Sequence, residues 1–261
     1  LKDLNQLLAV SGNGASEKHK AWSDQIEAWK KEHPLAYDQG DTTIKPQYVI
    51  EQIYQATRGE AIIATDVGQH QMWAAQFYKF DQPRTFLTSG GLGTMGYGLP
   101  AALGAQVAFP GKLVFCIAGD GGIVMNIQEL TTAVQYKLPV KIAIINNRYL
   151  GMVRQWQQLF YDKRYSSSFI GEQPDFVKLA EAFGAVGLRA TEVGEVKPVL
   201  QEALAINRPV VMDFRVDEEE NCYPMVPASA AINEMVFADP VGPRSAEEIR
   251  KAKKAGGILT A

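Results

Sequence analysis

Two apolar runs that end in oxygen-bearing polar residues constrain this chain more than any other feature. Leu113-Val114-Phe115-Cys116-Ile117-Ala118 carries no polar interruption, the pattern of a strand buried on both faces of a parallel sheet. It runs directly into Gly119-Asp120-Gly121-Gly122. A second apolar run over 140–145 ends in Asn146-Asn147, and Asn147 follows Asp120 by 27 residues. One crossover helix over about 124–136 fills the interval, so the two strands are expected to be neighbours. An Asp and an Asn then arrive at adjacent strand carboxyl ends, where open α/β sheets bind ligands. Asp-Gly and Asn-Asn also form ordinary turns. Their placement after two apolar strands favours a binding site over a turn.

The same rhythm extends along the chain from residue 41. Pro46 suits the first turn of a helix that carries Val49, Ile50 and Ile53. Strands are expected at 61–65, 85–88, 113–118, 140–145, 185–189 and 209–216. Helices are expected through Trp73 to Tyr78 and near 99–108, 124–136, 152–160, 175–183 and 195–206. This alternation gives an α/β fold, a six-stranded parallel sheet with helices on both faces. Residues 1–40 read as a helical lead-in. Leu1, Leu4, Leu7 and Leu8 have helical spacing, Ser11-Gly12-Asn13-Gly14 breaks the run, and a second helix spans about Ser16 to His33 with Trp22, Ile26 and Trp29 on one face. Pro34 stops it. The domain proper covers 41–216, and 217–261 form a tail with Pro, Glu and Lys. The chain opens at Leu1, without Met, inside a helical pattern, which reads as a fragment of a longer polypeptide.

Composition excludes several function classes. Hydrophobic content of 46% with 21% charged residues is ordinary for a soluble globular protein. A net charge of −3 gives no reason to expect nucleic acid or an anionic membrane as partner. No run has the length of a membrane span, and no signal peptide is visible. Two cysteines, Cys116 and Cys222, do not make a disulfide framework, and Cys116 sits in an apolar strand. A reducing cytoplasm fits.

The chemistry-bearing residues fall in four segments. Asp120 and Asn147 offer hard oxygen donors beside helix N-termini, which suits Mg²⁺ carrying a diphosphate. Ser89 to Pro100 holds five glycines, among them Gly93, and also Met95; alone it reads equally well as a packing crossover with Met95 filling a gap. Val67-Gly68-Gln69-His70-Gln71-Met72-Trp73 follows the strand at 61–65. A lone His there is more often structural than catalytic. Tyr149-Leu150-Gly151-Met152-Val153-Arg154-Gln155-Trp156 opens a helix whose N-terminal amides face any bound phosphate; Trp156 on its own reads as core.

Together these segments resemble the acetohydroxyacid (acetolactate) synthases, specifically the C-terminal, thiamine diphosphate-binding part of the large catalytic subunit. The resemblance runs from about Tyr48 to Pro227 and includes Val210-Val211-Met212-Asp213 and Tyr223-Pro224-Met225-Val226-Pro227. The GDG and NN pair marks the thiamine enzymes in general. The Gln-His-Gln-Met-Trp and Leu-Gly-Met-Val-x-Gln-Trp strings narrow the likeness. The resemblance implies that Asp120, Asn147 and the Tyr149 carbonyl hold Mg²⁺. It implies that Gln69, His70, Gly93, Met95, Gly119, Gly121, Gly122, Leu150, Gly151, Met152 and Val153 bind thiamine diphosphate, and that Met152 and Trp156 meet the substrate. Gln69 and His70 are assigned to phosphate contact rather than proton transfer.

The whole enzyme so implied decarboxylates pyruvate and joins the two-carbon unit to pyruvate or 2-ketobutyrate, with FAD as a further cofactor. Its activating Glu lies in an N-terminal domain beyond these residues, so this chain carries no catalytic residue of its own; Glu129 reads as structural. The implied partners are a second catalytic subunit, in a homodimer or homotetramer, and a regulatory subunit. Two other readings stay open at this point: another thiamine enzyme, such as a pyruvate oxidase or 2-ketoacid decarboxylase, and a non-catalytic Mg²⁺-diphosphate binding module.

Overall fold

A computed structural model describes residues 1–10 and 14–237 and divides the chain into two compact units, with the boundary after Tyr37. The first unit contains helices α1 (Lys2–Val10) and α2 (Gly14–Glu32). On α2 the rings of Trp22 and Trp29 meet edge to face at 5.5 Å, as their shared helical face requires. Of the expected break at 11–14, residues 11–13 lie outside the described residues and Gly14 opens α2; the expected tail lies outside them from 238 onward.

The second unit is the α/β domain. Its elements run α3 (Pro46–Thr57), β1 (Ile62–Thr65), α4 (Gln69–Phe77), β2 (Phe86–Leu87), α5 (Gly98–Ala108), β3 (Val114–Gly119), α6 (Asp120–Ile123), α7 (Leu130–Gln135), β4 (Lys141–Asn146), α8 (Gly151–Phe160), α9 (Phe176–Ala182), β5 (Val186–Ala190), α10 (Val196–Ala205) and β6 (Val210–Arg215). All six strands are parallel, in the order β2-β1-β3-β4-β6-β5. The expected six-stranded parallel sheet is therefore present.

Strand alternation sends successive side chains to opposite faces. One face, with Ile62, Ala64, Val114, Cys116, Ile142, Ile144 and Val211, packs against Leu99, Ala102 and Leu103 of α5, Leu130 and Ala133 of α7, and Phe176 and Ala180 of α9. The other buries Ile63, Phe115, Ile117, Ala143, Met212 and Phe214, and on it α3 packs against α4 and α10. Both faces being covered explains why the strands read as continuous apolar runs.

One helix departs from its expectation. The segment over 124–136 is not a single α-helix. A 3₁₀ stretch, Val124–Glu129, precedes α7, and Asn126 has non-helical φ −135° and ψ 30°. The cause is tertiary: the Asn126 side-chain amide donates to the Gly96 carbonyl at 2.7 Å, tying this segment to the glycine-rich loop. Residues 217–225 also hold a defined course beside α8. Arg154 donates to the Glu219 carbonyl at 2.7 Å and to Asn221 Oδ1 at 2.7 Å.

Candidate active site

The sheet order places a topological switch between β1 and β3. From β1 the chain steps outward to β2, then returns to place β3 on the other flank of β1. The loops leaving β1 and β3 diverge, and the crevice between them is where open α/β sheets bind ligands. β4 lies directly beside β3, with Gly119 level with Ile145, so Asp120 and Asn147 emerge side by side.

A cavity of about 190 Å³ occupies this crevice. Gln69, His70, Gly93, Met95, Gly119, Asp120, Gly121, Gly122, Asn147, Tyr149, Leu150, Gly151, Met152 and Val153 all line it. Four stretches of chain thus converge from the ends of β1, β3 and β4 and from the glycine-rich loop. Trp156 is not among the lining residues. It sits one turn further along α8, 36% exposed, with its ring edge-on to Phe160 at 5.4 Å.

Asp120 is the charged centre of the cavity. It is buried, and its Oδ1 has no hydrogen-bond partner. Oδ2 accepts from the Gln173 amide, whose own oxygen accepts from Arg215 at 3.2 Å. Burial pushes the Asp120 carboxyl up to about 7, against the opposing pull of nearby backbone N–H groups and the Gln173 amide. A buried carboxylate oxygen without a donor is costly unless a cation takes it. Asn147 Oδ1 accepts from the Tyr149 N–H at 3.2 Å, closing a tight turn that keeps the side-chain oxygen near the Tyr149 backbone. Among the described residues no three His, Cys, Asp or Glu side chains gather to hold a metal by themselves. One carboxylate, one amide oxygen and a carbonyl leave a hard cation dependent on further oxygens, which a diphosphate provides.

Asp66 belongs to this site, although it is not among the residues expected there. Its buried carboxylate accepts from the Gly96 N–H at 3.0 Å and the Val67 N–H at 2.6 Å, clamping the glycine-rich loop to the end of β1. Gly122 is required here, because a Cβ would stand 2.8 Å from the Asp66 carboxyl carbon. The sequence signal was available: Asp66 follows an apolar strand just as Asp120 does. Gln173 had no such signal, since it lies 53 residues beyond Asp120 in a polar loop.

His70 is buried on the first turn of α4 with Nε2 unpartnered. Burial holds its imidazole well below the ordinary value, and Asp66 only partly offsets this. It is therefore neutral at physiological pH. Gln69 has both ends of its amide occupied, the oxygen by Asn147 Nδ2 at 3.1 Å and the nitrogen by Gln155 Oε1 at 2.8 Å. Over the crevice, the 165–171 loop pairs with the segment after Asn147. Leu150 N–H donates to the Ser168 carbonyl and Ile170 N–H to the Arg148 carbonyl, both at 2.8 Å. No helix among the described residues is long and apolar enough to cross a membrane.

Comparison with known proteins agrees with this geometry. Residues 66–214 match the family described as thiamine pyrophosphate enzyme, C-terminal TPP binding domain. The chain is 47% identical over 241 residues to an acetolactate synthase large subunit of Haemophilus influenzae, covering 92% of this chain and 42% of that protein. It is 48% identical over 239 residues to the acetolactate synthase isozyme 3 large subunit of Escherichia coli, covering 90% and 42%. Against the acetolactate synthase large subunit of Cyanidium caldarium it is 47% identical over 238 residues, covering 89% and 40%. The chain spans about two fifths of the length of these curated relatives.

Proposed function

The chain belongs to the thiamine pyrophosphate enzymes, as a C-terminal TPP-binding domain, and on that premise we propose that it forms the diphosphate and Mg²⁺ half of an acetolactate synthase active site. The observation that carries this reading is Asp120 Oδ1, a buried and unpartnered carboxylate oxygen in a cavity shared with Asn147 and Tyr149. When bound, thiamine diphosphate supplies the carbon–carbon bond cleavage and formation that side chains cannot perform.

The residues of this chain hold and orient that group. Asp120, Asn147 and the Tyr149 carbonyl would hold the cation, with the diphosphate supplying the further oxygens that so few protein donors leave it needing. The Gly119–Gly122 backbone and the first turn of α8 face the phosphates with N–H groups. His70 meets the phosphates as a neutral side chain. Met95 and Met152 give soft apolar contact to the heteroaromatic rings. Leu150 and Ile170 close the space over Gly121, where a Cβ would lie 2.8 Å from Leu150 and 3.0 Å from Ile170.

The reaction of the complete enzyme is the decarboxylation of pyruvate and transfer of the two-carbon unit to pyruvate or 2-ketobutyrate, in branched-chain amino-acid biosynthesis. FAD, the activating Glu and the rest of the cofactor pocket come from parts outside this chain, in part from a second catalytic subunit of a homodimer or homotetramer; a regulatory subunit completes the set of partners. The size of the cavity supports this division. At about 190 Å³ it suits a diphosphate with its cation and falls below the ~300–1,000 Å³ typical of pockets that bury a whole drug-sized ligand. The free buried thiols of Cys116 and Cys222 fit a cytoplasmic setting.

Two measurements test the reading. The 261-residue chain alone, given thiamine diphosphate, Mg²⁺ and pyruvate, makes no measurable acetolactate, whereas the complete enzyme does. Robust turnover by the isolated chain overturns the assignment of the acid–base machinery to another domain. Separately, Trp156→Leu in the complete enzyme lowers selectivity for 2-ketobutyrate over pyruvate and leaves decarboxylation largely intact. An apolar contact to one extra methylene is worth about 1–3 kcal/mol, so the shift in product ratio is on the order of tenfold. An unchanged ratio with a lower melting temperature makes Trp156 a packing residue of α8.

A further inference from the structure

Gln155 lies fully buried on α8, behind the cavity wall rather than in it. Its amide has no choice of orientation. The Cys222 N–H donates to Gln155 Oε1 at 2.9 Å, and the Cys222 carbonyl accepts from Nε2 at 3.0 Å. A backbone N–H only donates and a carbonyl only accepts, so the two ends cannot be exchanged. Fixed in this way, Oε1 accepts a second hydrogen bond from Gln69 Nε2 at 2.8 Å, and the Glu220 carbonyl accepts from that same nitrogen at 3.0 Å. Gln69 must therefore turn its Oε1 toward Asn147, whose Nδ2 donates to it at 3.1 Å. Asn147 Oδ1 is left facing the Tyr149 backbone. Gly151 makes room for this contact. A Cβ there would overlap Gln69 Oε1 and stand 2.9 Å from Asn147 Nδ2.

We propose that Gln155 is a positioning residue for the metal ligand Asn147, acting through Gln69. An unanchored asparagine amide presents either its oxygen or its NH₂ to a cation, and only the oxygen binds Mg²⁺. The backbone of Cys222, 75 residues beyond Asn147, selects the oxygen through two glutamines in series. The 217–225 segment thereby becomes an outer shell of the metal site, although it lines none of the cavity. This inference rests on the reading of Asp120 and Asn147 as Mg²⁺ ligands.

The test uses the complete enzyme and reads the Mg²⁺ concentration that half-saturates thiamine diphosphate binding, by calorimetry, alongside kcat at saturating Mg²⁺ and the metal-free melting temperature. Gln155→Met raises the half-saturating Mg²⁺ by about tenfold or more, the usual effect of removing an outer-shell partner, while kcat at saturating Mg²⁺ stays near that of the parent. Gln155→Glu, kept protonated by its complete burial, retains an acceptor for the Cys222 N–H and Gln69 Nε2 and an O–H donor for the Cys222 carbonyl, and so restores the Mg²⁺ requirement toward the parent value. A purely structural role lowers the melting temperature of both variants and leaves the Mg²⁺ requirement of the folded protein unchanged, and that result overturns the proposal. Should Gln155→Met fail to fold, Gly151→Ala wedges Gln69 from Asn147 with Gln155 in place; an unchanged Mg²⁺ requirement there overturns it equally. Asp120→Ala run in parallel separates the two levels. If that variant keeps its cofactor affinity, the metal-site reading itself falls; if it loses affinity and Gln155→Met does not, only the relay falls.

Discussion

Asp120→Ala leaves the complete enzyme without Mg²⁺-dependent binding of thiamine diphosphate. The expectation follows from the donor set. Of the three buried carboxylates among the described residues, Asp213 is paired with Arg189 and Arg215, which leaves Asp66 and Asp120. Asp66 is used on the Gly96 and Val67 N–H groups. Asp120 alone keeps an oxygen without a partner. A hard divalent cation needs at least one anionic protein ligand to offset its dehydration, and neither the Asn147 amide nor the Tyr149 carbonyl provides a charge. Without the cation, the diphosphate meets only neutral groups, because His70 stays uncharged in its buried position. Titration of the variant with cofactor at saturating Mg²⁺ checks this by calorimetry. Affinity equal to that of the parent removes Asp120 from the site. Asp66→Asn is the matched control: it does not line the cavity, keeps an acceptor for the loop amides, and retains Mg²⁺-dependent binding.

Much of this site was legible in the sequence because its parts are local. An apolar strand followed by Gly-Asp-Gly, and another followed by Asn-Asn, carry their own structural context, and β3 and β4 pair as that context requires. The same holds for the strand positions, since strands covered on both faces are mostly apolar along their length. What the sequence hid is what depends on distant partners. Asn126 breaks the expected 124–136 helix because its amide is drawn to Gly96, 30 residues earlier. Asp66 shares the strand-end context of Asp120, but its partner, the Gly96 N–H, lies 30 residues further along the chain. Gln155 looks like one polar residue on a helix, and only the return of the chain at Cys222 gives it orientation. The strand order, with β3 on the far flank of β1, is also set by packing rather than by periodicity, and it creates the crevice.

The unpaired oxygen of Asp120 has an energetic consequence that is measurable without any cofactor: in the metal-free domain this group withdraws stability as pH rises through the range from about 4 to 7. The carboxyl ionises near 3.8 in an unfolded chain and near about 7 in the folded one, raised mainly by burial. Between these values the unfolded chain has lost the proton and the folded chain keeps it, so folding takes up a proton and a rise in pH opposes folding. Below the lower value both states are protonated and the effect vanishes. Above the upper value it is complete, on the order of 4 kcal/mol at 1.36 kcal/mol per pH unit of separation. Other carboxylates act in the opposite direction, Asp217 among them, held low by its hydrogen bond to Lys45. The Asp120 contribution is therefore isolated as a difference. Asp120→Asn keeps an acceptor for Gln173 and never ionises. Urea unfolding of both metal-free proteins gives similar stabilities at pH 4 and a variant that is more stable by several kcal/mol at pH 8. Adding Mg²⁺ with thiamine diphosphate at pH 8 stabilises the parent and leaves the variant where it was. A stability difference that does not change between pH 4 and pH 8 means that Asp120 is solvated and ordinary in the free protein.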